Sequence, residues 1–589
     1  MNPPMHQSLV NFGLLVGALL AWVTPALAAD YYVANSGSDA NAGAISTPFQ
    51  TLSKAASVAG PGDTIYVRGG SHTLTAGVKL TRSGNSGNYI RILAYPGELP
   101  VLDASAMTQT GYYSGWPLWL AGVSWIHIQG LEIHNGPMGG VVIDGASNNN
   151  LIEGLNVHHN GRLAQWEGKG ICLFGSAANN LILNNDSHHN RDLQGSNADG
   201  FQISSSGGGN VLRGNRAWRN SDDGYDLFNI FDNTVNGTVL IENNWAFENG
   251  YDDALQPTGG DGNGFKLGGR RAGTTGTSGG HTLTGNLSWS NRADGFDEND
   301  ASRSLTLFNN TAYNNGIYDY AFWTTPHILR NNLSLGSPSG ILICCGAAGS
   351  ITDHNSWTLP VTVTAADFAS VDSGGATQSR STDGSFPTSA FLRLVAGSDL
   401  IDQGVDVGLA FSGNAPDLGA YEFNAEPGTD VTAPTVPGGL VVSPVSASQL
   451  TLSWLSSIDD VAVAGYRVYR NSTWIADVTA TLYNDFSLTQ NTTYSYQVLA
   501  RDAAGNQSAL SASTSGKTWK FAVGSRVKTT GKITVRSGPG TNFASLGTQS
   551  KNARGTILGA PILTSGYYWW NVNFDSGADG WVREDTLNG

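Results

Sequence analysis

The chain has 589 residues, only 13 % of them charged, with 76 glycines and a formal net charge of −15. That length exceeds what one compact core organises and predicts several domains. The negative balance argues against nucleic acid and anionic membrane as partners, and an anionic polymer would need a bridging cation. Asparagine is dense between about residues 130 and 335, a texture that disfavours long helices and favours short strands joined by tight turns.

At the N-terminus an apolar stretch from Phe12 to Val23 precedes Thr24, Pro25 and the small-residue pattern Ala26-Leu27-Ala28. This predicts an export signal over residues 1–28, and hence a secreted, extracellular protein. Its first part carries His6 but no Lys or Arg, a departure from the usual pattern. A membrane anchor is the alternative, but the run is short for a span and no later segment is long and apolar enough. Cys172, Cys344 and Cys345 cannot make a disulfide framework in a chain of this size and are expected to be buried, inert thiols.

From Tyr31 to Phe423 the chain repeats itself. A phrase ending in Asn recurs, as in Val157-His158-His159-Asn160, Ser187-His188-His189-Asn190, Ala217-Trp218-Arg219-Asn220, Ala246-Phe247-Glu248-Asn249, Ser288-Trp289-Ser290-Asn291 and Ala312-Tyr313-Asn314-Asn315. A second Asn lies five residues before most of these, at Asn185, Asn215, Asn244, Asn286 and Asn310. Periods of about 24 to 30 residues, with one longer insertion, signal a solenoid. Each repeat offers β-rich runs between Gly/Asn turns and no helical period, so the predicted fold is all-β, a right-handed parallel β-helix. Stacked coils place like residues about 4.8 Å apart and let the Asn side chains form ladders at the turns. The paired histidines and Trp218, Trp245 and Trp289 are read as stacking and packing groups before any metal or sugar role.

Beyond Phe423 the texture changes. Residues 424–431 read as a linker. Residues 432–518 alternate apolar and polar with Trp454, Tyr466, Tyr494 and Tyr496, as in a small β-sandwich, and Thr493–Ser508 is similar to the end of a fibronectin type III domain. Residues 523–589 carry Thr534–Thr541 and Gly580-Trp581-Val582, a pairing that resembles bacterial SH3-like modules, which often bind cell-wall polymers. Both are expected to be accessory.

A second repeated phrase points to chemistry: Asp199-Gly200-Phe201-Gln202-Ile203, Asp223-Gly224-Tyr225-Asp226-Leu227, Asn263-Gly264-Phe265-Lys266-Leu267 and Asp294-Gly295-Phe296-Asp297. With the aromatic and aliphatic residues inward, the residue between them points out. The outward column is then Gln202, Asp226, Lys266, Asp297, and Asp199, Asp222 and Asp223 lie beside it. Four carboxylates this close repel unless a cation neutralises them, and an oxygen-only set favours Ca²⁺. A lysine one rung away would have its ammonium destabilised, as a general base requires.

The strings NADGF, NRAWRNSDDGYDLF and GNGFKLGG, with YYVANSGSDANAG, GDTIYVRGG and APDLGAYEF, resemble the family 9 polysaccharide lyases, mostly pectate lyases, over about residues 31–423. The resemblance implies that Asp199, Asp222, Asp223 and Asp226 bind Ca²⁺ and that Lys266 is the catalytic base. It also implies β-elimination on an acidic polysaccharide, pectate. Arg270, Arg271 and Arg292 are expected to clamp further carboxylates, although Arg270-Arg271 and the loop to Gly280 depart from the family pattern. Alternatives are a lyase on rhamnogalacturonan, alginate or a cell-wall glycan; a hydrolase using paired Asp residues; and a non-catalytic carbohydrate-binding adhesin. A monomer is the default expectation.

Overall fold

A computed structural model describes residues 28–165, 167–230, 234–381, 383–423, 433–459, 463–502 and 505–589. The expected export signal, apart from Ala28, and the expected linker lie outside the described residues. The chain divides into two compact units, the first ending at Phe423. No helix among the described residues is long and apolar enough to cross a membrane.

In the first unit a coil runs through three short strands, for example Leu151–Glu153, Asn156–His158 and Lys169–Gly175, before Leu181–Leu183 pairs in parallel with Leu151–Glu153. Repetition builds three parallel sheets. Sheet A has twelve strands, from Asp30–Val33 to Ile351–Asp353; sheet B has ten, from Val78–Leu80 to Ile341–Ile343; sheet C has ten, from Gly70–Thr73 to Leu333–Leu335. This is the parallel β-helix that the repeats predict.

The corners explain the asparagines. From the strand Ile126–Gln129 onward two residues turn the chain between sheets A and C, and the first is left-handed, as at Gly154 (φ 60°), Asn184 (φ 55°), Gly214 (φ 66°) and Asn243 (φ 54°). Gly and Asn are the residues that tolerate this region. The second, from Asn185 onward, forms a ladder through Asn215, Asn244, Asn286, Asn310, Asn332 and Asn355. Each Oδ1 accepts from the backbone N–H and the side-chain amide of the Asn one coil earlier, at 2.9–3.1 Å. A second ladder, Asn160 to Asn315, lines the corner between C and B. A third, Asn150–Asn180–Asn210, lines the corner between B and A; its sign in the sequence, an Asn directly before each apolar triplet, passes unnoticed beside the stronger phrases.

Inside the coils Phe201, Tyr225, Phe265, Phe296 and Tyr320 stack with centroids 4.9, 4.6, 4.9 and 5.0 Å apart. They belong to one continuous core with Ile203, Leu227 and Leu267, as the alternation requires. The histidines stack as expected: His158 on His188 at 5.0 Å, and His188 on Trp218 at 4.0 Å. Trp245 and Trp289 pack under the segment that follows the last coil, with Phe386 stacked on Trp245 at 3.9 Å. The cysteines differ in part from expectation: Cys172 is buried, but Cys344 is half-buried and Cys345 exposed, because the pair follows the last strand of sheet B, where no further coil covers it.

The second unit is antiparallel. A three-stranded and a four-stranded sheet between Val441 and Lys517 enclose Leu452, Trp454, Tyr466, Val468, Tyr496 and Val498. Eight further strands lie between Arg526 and Asn588, around Val535, Trp570, Val572 and Val582.

Asn215→Ala removes the acceptor of the Asn185 N–H and the donor to the Ile182 carbonyl. Buried groups left unpaired cost about 1–3 kcal/mol each, so this variant should unfold at a clearly lower temperature, measured by calorimetry, with its far-ultraviolet circular dichroism unchanged before melting.

Candidate active site

Four strands of sheet B carry the outward column: Phe201–Ser205, Tyr225–Asp226, Phe265–Lys266 and Phe296–Asp297. Their register aligns Gln202, Asp226, Lys266 and Asp297 on successive rungs, the order read from the sequence. The residues just before these strands form a ladder of their own. Asp199 Oδ1 accepts from Asp223 N at 3.1 Å, Asp223 Oδ1 from Asn263 N at 2.7 Å, Asn263 Oδ1 from Asp294 N at 3.0 Å, and Asp294 Oδ1 from Tyr318 N at 2.9 Å. One oxygen of each carboxylate is thus bound to the turn, and the other is available to chemistry.

The second oxygens meet lysines. Asp199 Oδ2 receives Lys169 Nζ at 2.6 Å, and Asp223 Oδ2 lies 3.1 Å from Lys266 Nζ without hydrogen-bond geometry. Asp199, Asp222 and Asp223 each bring an oxygen within 4.8 Å of the others. Asp226 stands apart from this trio: its Oδ2 accepts from Gln202 Nε2 at 3.1 Å and its Oδ1 from Phe228 N at 2.8 Å. Lys266 also donates to Asp261 Oδ2 at 2.7 Å.

Burial raises the Asp199 carboxyl to about 7; Lys169 works against this rise, while Asp226 and Asp223 add to it. Burial, then Asp223 and Asp199, push Asp222 well above the usual range, and burial raises Asp223 against the pull of Lys266. Burial disfavours the Lys266 ammonium, but Asp223, Asp226, Asp222 and Asp261 together outweigh it and hold its pKa well above the ordinary value. The carboxylates that face Lys266 thus favour its ammonium, whereas the lowered pKa expected from the sequence presupposes a cation on those carboxylates.

The trio suits a hard divalent cation. Its donors are carboxylate oxygens only, and the buried Asp223 Oδ2 lacks a hydrogen bond. Of the arginines, Arg270 and Arg271 are exposed on the longest coil, and Arg270 donates to the Gly276 carbonyl at 2.5 Å. Arg292 donates to the carbonyls of Gly260 and Asp261, so it braces the turn that carries Asp261. Sequence reasoning missed Lys169 and Asp261. Lys169 had a signal, since Lys169-Gly170-Ile171-Cys172-Leu173 is the same phrase one coil earlier, paired in register with the strand that begins at Phe201.

Fold and site together define a parallel β-helix protein with a lysine set against clustered carboxylates on one outer face. The family described as Pel9A-like, right handed beta helix region, matches residues 31–332, and the fibronectin type III family matches residues 433–517. A pectate lyase L from Dickeya chrysanthemi is 34 % identical over 407 residues, covering 67 % of this chain and 90 % of that protein. The crystal structure of the pectate lyase Pel9A covers 67 % of this chain and 96 % of its own, with 32 % identity and a TM-score of 0.56. A structure titled rhamnogalacturonan lyase covers 62 % of this chain and 96 % of its own, with 28 % identity and a TM-score of 0.54. The chain therefore belongs to the Pel9A-like family of right-handed β-helix proteins, and it is a polysaccharide lyase of the pectate-lyase type.

Folded Asp199 keeps its proton up to about pH 7, whereas an unfolded aspartate releases it near pH 4. The folded state binds more protons in that window, so this group's contribution to the stability of the cation-free protein falls as pH rises from about 4 to about 7. Thermal unfolding in chelator should show Asp199→Asn gaining on the parent as pH rises through this window, and added Ca²⁺ should stabilise the parent more at pH 7.5 than at pH 5.

Proposed function

We propose that the protein is a secreted lyase that cleaves polygalacturonate by Ca²⁺-dependent β-elimination with Lys266 as the base. The observation that carries this reading is Lys266 Nζ standing 3.1 Å from the unbonded Asp223 oxygen, on the outward face beside the carboxylate trio. The names of the relatives, pectate lyase L and Pel9A, support the substrate.

Asp199, Asp222 and Asp223 would hold the ion; Asp226, on the same coil as Asp222 and Asp223, is assigned as the fourth ligand, which requires Gln202 Nε2 to release its Oδ2. A bound Ca²⁺ supplies neutralisation of a uronate carboxylate and acidifies the adjacent C5 proton. Lys266 is kept as an ammonium by the carboxylates around it; once their charge is compensated, burial favours the neutral amine. The amine takes the C5 proton, the electron pair forms the C4–C5 double bond, and the C4–O4 bond breaks with O4 leaving as an alkoxide that solvent water protonates to the alcohol. Arg270 and Arg271 are assigned to carboxylates further along the polymer, and Arg292 to bracing the Asp261 turn.

The likeness to a rhamnogalacturonan lyase favours a second reading, elimination on a different uronate-bearing polymer by the same residues. Residues 523–589 are assigned as an SH3-like module for a cell-wall polymer, with the fibronectin type III domain as its spacer.

Incubated with polygalacturonate at alkaline pH, the protein should generate ultraviolet-absorbing unsaturated product in Ca²⁺ and none in excess chelator; absorbance only from rhamnogalacturonan would select the second reading. Lys266→Ala should lose at least about 10²-fold in turnover, the scale of a general base, while retaining its fold and Ca²⁺ affinity. Activity should rise with pH on the alkaline side, since only the neutral amine acts, and an optimum near pH 5 would reject Lys266 as base. Truncation after Phe423 should leave activity on soluble polymer unchanged and reduce it on insoluble wall material.

A further inference from the structure

On sheet C, away from the strands that carry the carboxylate trio, three successive coils bring a mixed set of ligand groups together. Asp103 ends the strand Pro100–Asp103, Glu132 and His134 bound the strand Glu132–His134, and His158 ends Asn156–His158. The register stacks Asp103, His134 and His158 in one vertical column, with Glu132 two residues before His134. Leu102, Ile133 and Val157 between them are fully buried in the core, so these four side chains share the outer face. They are half-buried, open to solvent on one side, with side-chain exposures between 14 % and 34 %.

The ligand atoms of Glu132, His134 and His158 all lie within 4.8 Å of one another. His158 Nε2 is 3.4 Å from Glu132 Oε1, and His134 Nε2 is 3.7 Å from Asp103 Oδ1. Bonds of about 2.0–2.1 Å to a tetrahedral ion set ligand atoms about 3.4 Å apart, so the first pair already has the span of one edge and the second is only slightly longer. Outer partners hold the ligands in place, as metal-binding imidazoles and carboxylates require. His158 Nδ1 is tied to His159 Nδ1 at 2.7 Å, which leaves Nε2 facing Glu132. Asp103 Oδ1 accepts from Ser105 N and from Asn135 Nδ2, each at 3.0 Å. On the next coil His188 closes the column, stacked on His158 with its own Nε2 held by Asn156 Oδ1 at 2.9 Å.

We propose that Glu132, His134 and His158, with Asp103 as fourth ligand, form a transition-metal site of the Zn²⁺ class that clamps three coils of the β-helix. Two imidazoles with two carboxylates suit Zn²⁺ or Co²⁺ and are foreign to Ca²⁺, which takes oxygen donors. The site is thus chemically distinct from the Asp199–Asp222–Asp223 trio, and the two are saturated by different ions. The ion would join strands that are otherwise linked only through the sheet, and its binding energy would add to the stability of the fold.

The test uses the full chain, stripped with chelator and then saturated with Ca²⁺. Titration calorimetry with Zn²⁺ should give one site, Co²⁺ should give visible absorption of a tetrahedral centre, and Zn²⁺ should raise the unfolding temperature. His134→Ala/His158→Ala, and separately the milder Glu132→Gln, should weaken Zn²⁺ by at least about 10-fold and abolish the thermal shift, with lyase activity in Ca²⁺ unchanged. Zn²⁺ binding that survives in both variants overturns the assignment, as does its loss in His189→Gln alone or the absence of saturable binding below about 0.1 mM.

Discussion

The in-register stacking of coils is the constraint on which the rest of this molecule depends. A coil of three short strands buries one face and leaves three corners, and at each corner peptide groups enter the interior with no strand partner. The asparagine ladders resolve this by using the side chain of one coil to satisfy the backbone of the coil before it. Because every rung depends on the next, like residues must lie over like. The aromatic column Phe201–Tyr225–Phe265–Phe296 follows from the same rule.

The site is an adaptation of that rule. In the column Asp199, Asp223, Asn263, Asp294, the hydrogen bond that an amide could make is made by a carboxylate in three of four places. The fold needs only one oxygen from each; the other is surplus to the turn and is fixed in position by it. Charge is therefore concentrated without any flexible loop having to be ordered, which is the condition for a preorganised cation site. Lys169, buried against Asp199, and Lys266, facing Asp223, offset this charge from opposite sides of the trio.

Much of this was legible in the sequence because a period-two strand with an aromatic at a fixed offset leaves little freedom for the residue between. The positions of Gln202, Asp226, Lys266 and Asp297 follow from alternation alone. The protonation of Lys266 did not, since it depends on how many carboxylates face the amine, and Asp261 joins them only through the fold of the inserted coil. The separation of Asp226 from the trio likewise depends on Gln202, whose amide is directed across a rung. Lys169 was hidden because Ile171 replaces the aromatic of the repeated phrase, although the strand keeps the same register. The exposure of Cys345 reflects the end of the stack, which no local pattern marks.

The ladders also bear on how such a protein can vary. Successive rungs are 29 or 30 residues apart before Asn244, then 42 residues to Asn286, then 24 to Asn310. The amide geometry is the same across the long step as across the short ones, so the extra residues, Arg270 and Arg271 among them, are accommodated without shifting the ladder, and Arg270 and Thr277 pair with Asn229 and Val235 of the coil before. Length in that coil is therefore decoupled from the register of the sheets. A lineage could lengthen, shorten or exchange this segment while the register of Asp223 and Lys266 is inherited unaltered, so that one stretch of the outer face is free to change faster than the stack beneath it.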